Sequence, residues 1–285
     1  MMRYDRSNMA LVLGALIVTS VAADKAEALV EGTKLIPHRA VYEMSMGESK
    51  RGSSISGISG RMVFEFSGSA CEGYTLNMRL VTEVLNREGS PTLSDLRSST
   101  WESGKGQRFR FNSSQYLNQR LREKTSGDAK RLVDGEVVDV KIKDPKPKKL
   151  QFPTKILFPT QHSLAVLRAA SEGQTIFQAP VYDGSEDGQK LYATTTFIGK
   201  PRAKSAGKNL PPVTSAKALD GLTWWPITIS YFEEGKKDQE TPSYQIGFRL
   251  YSNGVSRDLT IDYDDFSMRG ALKESEFLKE SDCKP

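Results

Sequence analysis

The side chains able to carry reactive chemistry are few: two histidines, His38 and His162, and two cysteines, Cys71 and Cys283, in 285 residues. A metal site built of three histidines is impossible with that inventory, and neither HExxH nor CxxC occurs. Any Ser–His–Asp arrangement would have to use one of those two histidines. His162 falls at the beginning of a predicted helix, and His38 follows Pro37 where the first strand begins. Both positions read as packing or surface sites rather than catalytic ones. The cysteines stand 212 positions apart. Joined, they leave no thiolate nucleophile; the other reading is two unrelated buried thiols.

Carboxylates supply the remaining candidates. Asp183-Gly184-Ser185-Glu186-Asp187-Gly188 has the oxygen spacing of the front of a calcium loop. The twelfth position is Thr194 instead of a bidentate glutamate, so the segment reads as a turn. Asp262, Asp264 and Asp265 read as a solvated strand end that discourages edge-to-edge aggregation. Among 35 acidic residues some pair always lies close in space. A carboxylate-dependent envelope hydrolase is therefore the least supported function class. No metal and no cofactor are expected.

The first 28 residues resemble an export signal. Arg3 and Arg6 precede an apolar run over Met9–Ala23, and Ala26-Glu27-Ala28 offers small residues where a signal peptidase reads. Cleavage after Ala28 is the expectation, with a mature chain that begins at residue 29 and folds as one domain outside the cytoplasm. No lipobox cysteine follows, and no later segment approaches the length of a membrane span. In an oxidising compartment the two cysteines favour the disulfide, which would tie an early strand to the last residues. The formal charge of +5 suits anionic envelope polymers or lipid head groups, and equally suits background. The basic runs at Lys146–Lys149 and Lys200–Lys208 lack interleaved aromatics, which removes nucleic acid as a partner.

The elements that must position these groups are strands. Tyr74, Leu76, Met78 and Leu80 alternate with polar residues. So do Val138 to Ile142, Leu191 to Phe197, Tyr244 to Leu250 and Leu259 to Tyr263. Period two with one wet face marks antiparallel sheet. Shorter candidates cover 40–46, 62–66, 96–101, 109–111, 174–182 and 223–232. One segment breaks the pattern: after Pro159, Leu164 and Leu167 recur at helical spacing among alanines up to Gly173. This predicts a helix over 160–172, capped by Thr160, whose apolar stripe covers the sheet. Lys143–Lys149 and residues 199–212 read as exposed connections.

Several segments together resemble the EipB-like cell envelope integrity family of alphaproteobacteria. They are Leu35-Ile36-Pro37-His38-Arg39-Ala40-Val41-Tyr42, Gly60-Arg61-Met62-Val63-Phe64-Glu65-Phe66, Cys71-Glu72-Gly73-Tyr74, Tyr182-Asp183-Gly184-Ser185, and a cysteine third from the end. The resemblance runs from about residue 33 to the C-terminus. It implies a periplasmic protein with joined cysteines, mainly β: a strongly curved, spiral-like antiparallel sheet, an open barrel around one central helix. It implies no enzymatic activity and no catalytic residues.

A non-catalytic protein supporting envelope integrity is thus expected, one that holds a periplasmic or envelope protein, a peptide or a lipid on the concave face. The alternative is a lipid or lipoprotein carrier of the half-barrel type. A curved sheet too wide to fill its own concavity leaves a groove. The expected groove residues are Phe197, Phe248, Leu164, Leu167 and one of Trp224 and Trp225, which are adjacent in a strand and so face opposite sides of it.

Overall fold

The computed structural model describes residues 34–132, 137–202, 219–236 and 239–280. The expected export signal, Cys283 and residues 203–212 of the second connection lie outside them. Strands form in chain order as β1 (His38–Ser49), β2 (Ile55–Ser69), β3 (Gly73–Asn86), β4 (Pro91–Glu102), β5 (Arg108–Leu117) and β6 (Arg120–Arg131). After β7 (Val137–Asp144) and β8 (Lys148–Pro153) comes the helix α1 (Pro159–Ser171). The chain returns through β9 (Ile176–Val181), β10 (Tyr192–Ile198), β11 (Trp224–Glu233), β12 (Tyr244–Tyr251), β13 (Ser256–Asp262) and β14 (Phe266–Phe277).

All fourteen strands belong to one antiparallel sheet. Its order runs from β8 down to β1, crosses to β14, and descends to β9. The first and last strands of that order, β8 and β9, are not paired with each other, so the sheet is an open barrel. The crossover is the β1–β14 pairing, which joins the start of the folded chain to its end, His38 opposite Phe277. Each hairpin is local; this single pairing turns two meanders into one sheet.

Alternation places one side chain in two on the inner face. There, Val166, Leu167, Ala169 and Ala170 of α1 pack against Phe66, Ile198, Trp225, Ile227, Ile229 and Leu250. A second cluster, centred on Tyr42, Met44, Met62, Met268 and Leu272, fills the region around the β1–β14 junction. A third stacks Phe109, Phe111, Phe158 and Tyr182 beneath β5 to β8.

Two readings need correction. Lys143–Lys149 is not an extended connection: Lys141 pairs with Lys149 and Ile142 with Lys148, so the segment is the tight turn of a hairpin. The helix is not capped by Thr160. Its N-cap is Phe158, which has no polar side chain, and Pro159 opens the first turn. The capping group comes from a strand distant in sequence.

Candidate functional site

That group is Glu102, at the end of β4. Its carboxylate accepts the backbone N–H of Thr160 (2.7 Å) and of Gln161 (3.1 Å), one on each oxygen. A carboxylate at a helix N-terminus satisfies orphan donors and meets the positive end of the dipole. Glu102 is almost wholly buried, 1% exposed. Burial pushes its carboxyl up to about 7, against the opposing pull of these hydrogen bonds and of Arg131. Arg131 in turn donates to the carbonyls of Gly106 (2.9 Å), Thr154 and Ile156, and lies over the Phe158 ring. Together the two residues fix the N-terminal end of α1 against the sheet.

Fixing α1 there leaves a cavity of about 360 Å³ between its N-terminal half and the concave face. The helix contributes Pro159, Thr160, His162, Ser163 and Val166. The sheet contributes Phe64, Phe66, Leu76, Ile229, Ile246, Phe248 and Leu250, and Leu35 and Gly254 close one side. The wall is predominantly apolar, and Asp183 is its one carboxylate.

Both histidines of the chain line this cavity. His162 is buried, with Nε2 3.3 Å from the Thr194 hydroxyl, and desolvation lowers it to about 4. His38 Nδ1 lies 2.8 Å from the Ile36 carbonyl, and burial lowers its pKa as well. Both rings are therefore neutral imidazoles at pH 7, each with a polar edge in an otherwise oily wall. Beside Asp183, whose carboxyl burial raises, stand Tyr192, Tyr231 and Tyr244; the last two stack at 4.5 Å between ring centres.

The expected groove residues are placed unequally. Phe248 lines the cavity. Leu167 and, less deeply, Leu164 belong to the packing between helix and sheet beside it and do not line it. Trp225 is buried in that same packing, and Trp224 is buried in the second cluster. Neither indole is left for a partner surface, because Trp224 is flanked by the guanidinium groups of Arg202 and Arg249. Phe197 is a correction: it points to the outer face, 50% exposed, while its neighbours Thr196 and Ile198 point inward. The expectation took the apolar member of each alternating pair as the inner one, and in β10 the inner phase carries threonine instead.

The calcium-like segment forms successive turns. The Asp183 carboxylate accepts the Ser185 N–H at 2.9 Å, and Gly184 sits so close to the Phe111 ring that a Cβ there would lie 2.4 Å from it. Glu102 was overlooked, yet it had a signal. Leu96, Ser98, Thr100 and Glu102 share one phase of β4, and a carboxylate in that inward phase must find donors. Cys71 is exposed at the β2–β3 turn, and no described cysteine is free.

Comparison with known proteins agrees with this architecture. The chain is 39% identical over 271 residues to the cell envelope integrity protein EipB of Brucella abortus, covering 95% of this chain and 94% of that protein. A crystal structure of a beta-barrel-like protein of a domain of unknown function, also from Brucella abortus, superposes with a TM-score of 0.78. It shares 39% identity and covers 87% of this chain and all of its own. The sequence model of the EipB-like family matches residues 30–279. With its spiral of strands closed by one helix over an apolar hollow, this chain belongs to the EipB-like family.

Proposed function

We propose that this protein is an exported, non-catalytic component of cell envelope integrity that works by holding an apolar chain in the cavity beneath α1. The observation that carries the reading is the cavity: about 360 Å³, walled by Phe64, Phe66, Leu76, Ile246 and Phe248, with two neutral imidazoles as its polar edges. A volume of that order lies at the lower end of small-molecule sites, roughly 300–1,000 Å³. The envelope role rests on the 39% identical relative that bears that name.

Against catalysis stands the fate of the two carboxylates that burial raises: Asp183, in the cavity wall, accepts the Ser185 N–H within its own turn, and Glu102 is turned to the helix. Both oxygens of Glu102 are committed to the helix, and Glu102 does not line the cavity. Export places the chain in an oxidising compartment, where Cys71 and Cys283 close into a disulfide. Thiol titration of the native protein, denatured without reductant, then finds no reactive cysteine; two would refute the pairing.

The cavity reading is tested with an alkyl-chain fluorophore. Ile246→Trp fills the hollow, and we expect affinity to fall at least tenfold while the melting temperature holds. Unchanged affinity would place the apolar chain elsewhere. Native mass spectrometry of protein taken from cells should show a bound lipid; a bound peptide would instead favour the protein-partner variant. Ready exchange of that lipid between protein and vesicles would support the carrier alternative over a static holder.

A further inference from the structure

The opposite face of the sheet carries a separate feature. Alternation in β5 to β8 turns Phe109, Phe111, Ala129, Val138, Val140 and Ile142 inward, and the residues between them outward. The outward set is basic. Arg108 and Arg110 of β5 stand beside Lys124 and Lys130 of β6. Lys141 and Lys143 of β7 and Lys149 of β8 continue the row. All seven are exposed, against three acidic residues on the same face, Asp128, Asp139 and Asp144. The surplus of four positive charges is most of the +5 of the whole chain.

The register makes this arrangement costly. Arg108 lies directly opposite Lys130, and Lys141 directly opposite Lys149; on their other sides Lys130 faces Asp139 and Lys141 faces Asp128, neither of them within ion-pair distance. Like charges facing each other across strands destabilise a sheet. Elsewhere the fold resolves the same problem internally: Arg79 opposes Arg97 across β3 and β4, and Asp95 bridges both, at 2.9 and 2.7 Å. Among the described residues no carboxylate within 4.0 Å answers Arg108, Lys130, Lys141 or Lys149. Lys124 and Lys143 do have partners, in Asp144 and Asp128.

We infer that the outer face of β5 to β8 is a docking surface for an anionic lipid bilayer, whose head groups supply the missing counter-charge. Four strands at about 4.8 Å spacing span roughly 15 Å, little more than a Debye length, so the charges act together on a planar anionic surface. Stacking platforms for single-stranded nucleic acid are absent between the charges, where Asn112, Ser126 and Gln151 sit. Trp101, a residue type at home in a bilayer interface, borders the face with Arg110 over its ring at 5.1 Å. The surface lies across the sheet from the cavity and does not depend on what the cavity holds.

Vesicle co-sedimentation of the full chain tests it. Binding is expected to vesicles containing about 30% phosphatidylglycerol in about 50 mM salt, not to pure phosphatidylcholine, and to be lost in about 500 mM salt. Lys130→Glu with Lys141→Glu should weaken that binding at least tenfold. Lys50→Glu with Lys279→Glu makes the same change in net charge away from the face and should leave it within about twofold. Equal losses in the two double variants would reduce the effect to net charge and overturn the proposal. So would equal binding to both vesicle types, no vesicle binding at all, or retention on dextran sulfate without vesicle binding.

Discussion

Glu102 and His162 are two buried titratable groups whose acidities burial moves in opposite senses. Glu102 has a folded value of about 7 against an ordinary 4.5. Its contribution is present below pH 4.5 and is lost as pH rises through 7, because folding keeps the proton on. His162, lowered to about 4 from 6.5, contributes stability above pH 6.5 that disappears as pH falls through 4. Each shift is of order 3 kcal/mol, and between pH 4.5 and 6.5 the two slopes oppose. Denaturant unfolding across pH 4–8 should therefore show a nearly flat wild-type profile from these groups. Glu102→Gln should unmask a stability that rises with pH, and His162→Gln one that falls. Identical slopes in wild type and Glu102→Gln would show that the carboxyl is not held protonated by the fold. What the sequence conveyed here was partial. Both histidines were visible, but nothing in their separation of 124 positions tells that they meet in one cavity.

The strands were legible where the inward phase is apolar and obscure where it is small or polar. β3, β7, β12 and β13 announced themselves by period two; β10 did so through its outward phase, Ala193 and Phe197, because Thr194 and Thr196 point in. β6 did not, because its buried positions are Thr125, Gly127 and Ala129. The reason is Phe111 across the register: a Cβ on Gly127 would lie 2.5 Å from that ring and 2.6 Å from the Lys141 carbonyl. A large aromatic on one strand demands an absence on the next, and an absence has no hydrophobic signature. β14 was hidden for another reason. A bulge opposite Val41 and Tyr42 shifts its inward phase, so Met268, Gly270 and Leu272 point in, and then Ser275. β8 is short and opens on two lysines, as an exposed edge should. If the Phe111–Gly127 fit is as tight as the geometry implies, Gly127→Ala costs about 1–3 kcal/mol by overpacking. Gly52→Ala is the useful contrast, since nothing lies within 4 Å of its would-be Cβ; it loses only the backbone preference at φ 96°. Gly127 keeps an ordinary strand backbone, so a negligible cost of Gly127→Ala would show that the Phe111 ring yields and that the fit is not tight.

For the molecule as a whole, two edges left apart define what can move. The chain closes on itself at β1 and β14, where ten residue pairs lock the ends together, whereas β8 and β9 never pair. The gap is bridged instead by the run into α1: Leu157 bonds to Pro180 of β9 and to Tyr182 just after it, Arg131 holds the carbonyls of Thr154 and Ile156, and Glu102 holds the helix end. A few polar anchors around an apolar hollow are weaker than a continuous ladder, so opening should be local and should begin there. The resemblance implied the open barrel and its central helix; which strands would remain unpaired lay in the long-range register and not in any local pattern. Hydrogen exchange should accordingly rank β9 and the first turn of α1 well below β1, β2 and β14 in protection. Saturation with an alkyl-chain ligand should slow exchange in α1, β11 and β12, which wall the cavity, while β5 to β8 stay as they were. Anionic vesicles should do the reverse, shielding the β5–β8 face without slowing α1. Slowing of both regions by either ligand alone would mean that cavity and outer face are coupled through the sheet, and that the hollow opens when the protein meets a membrane.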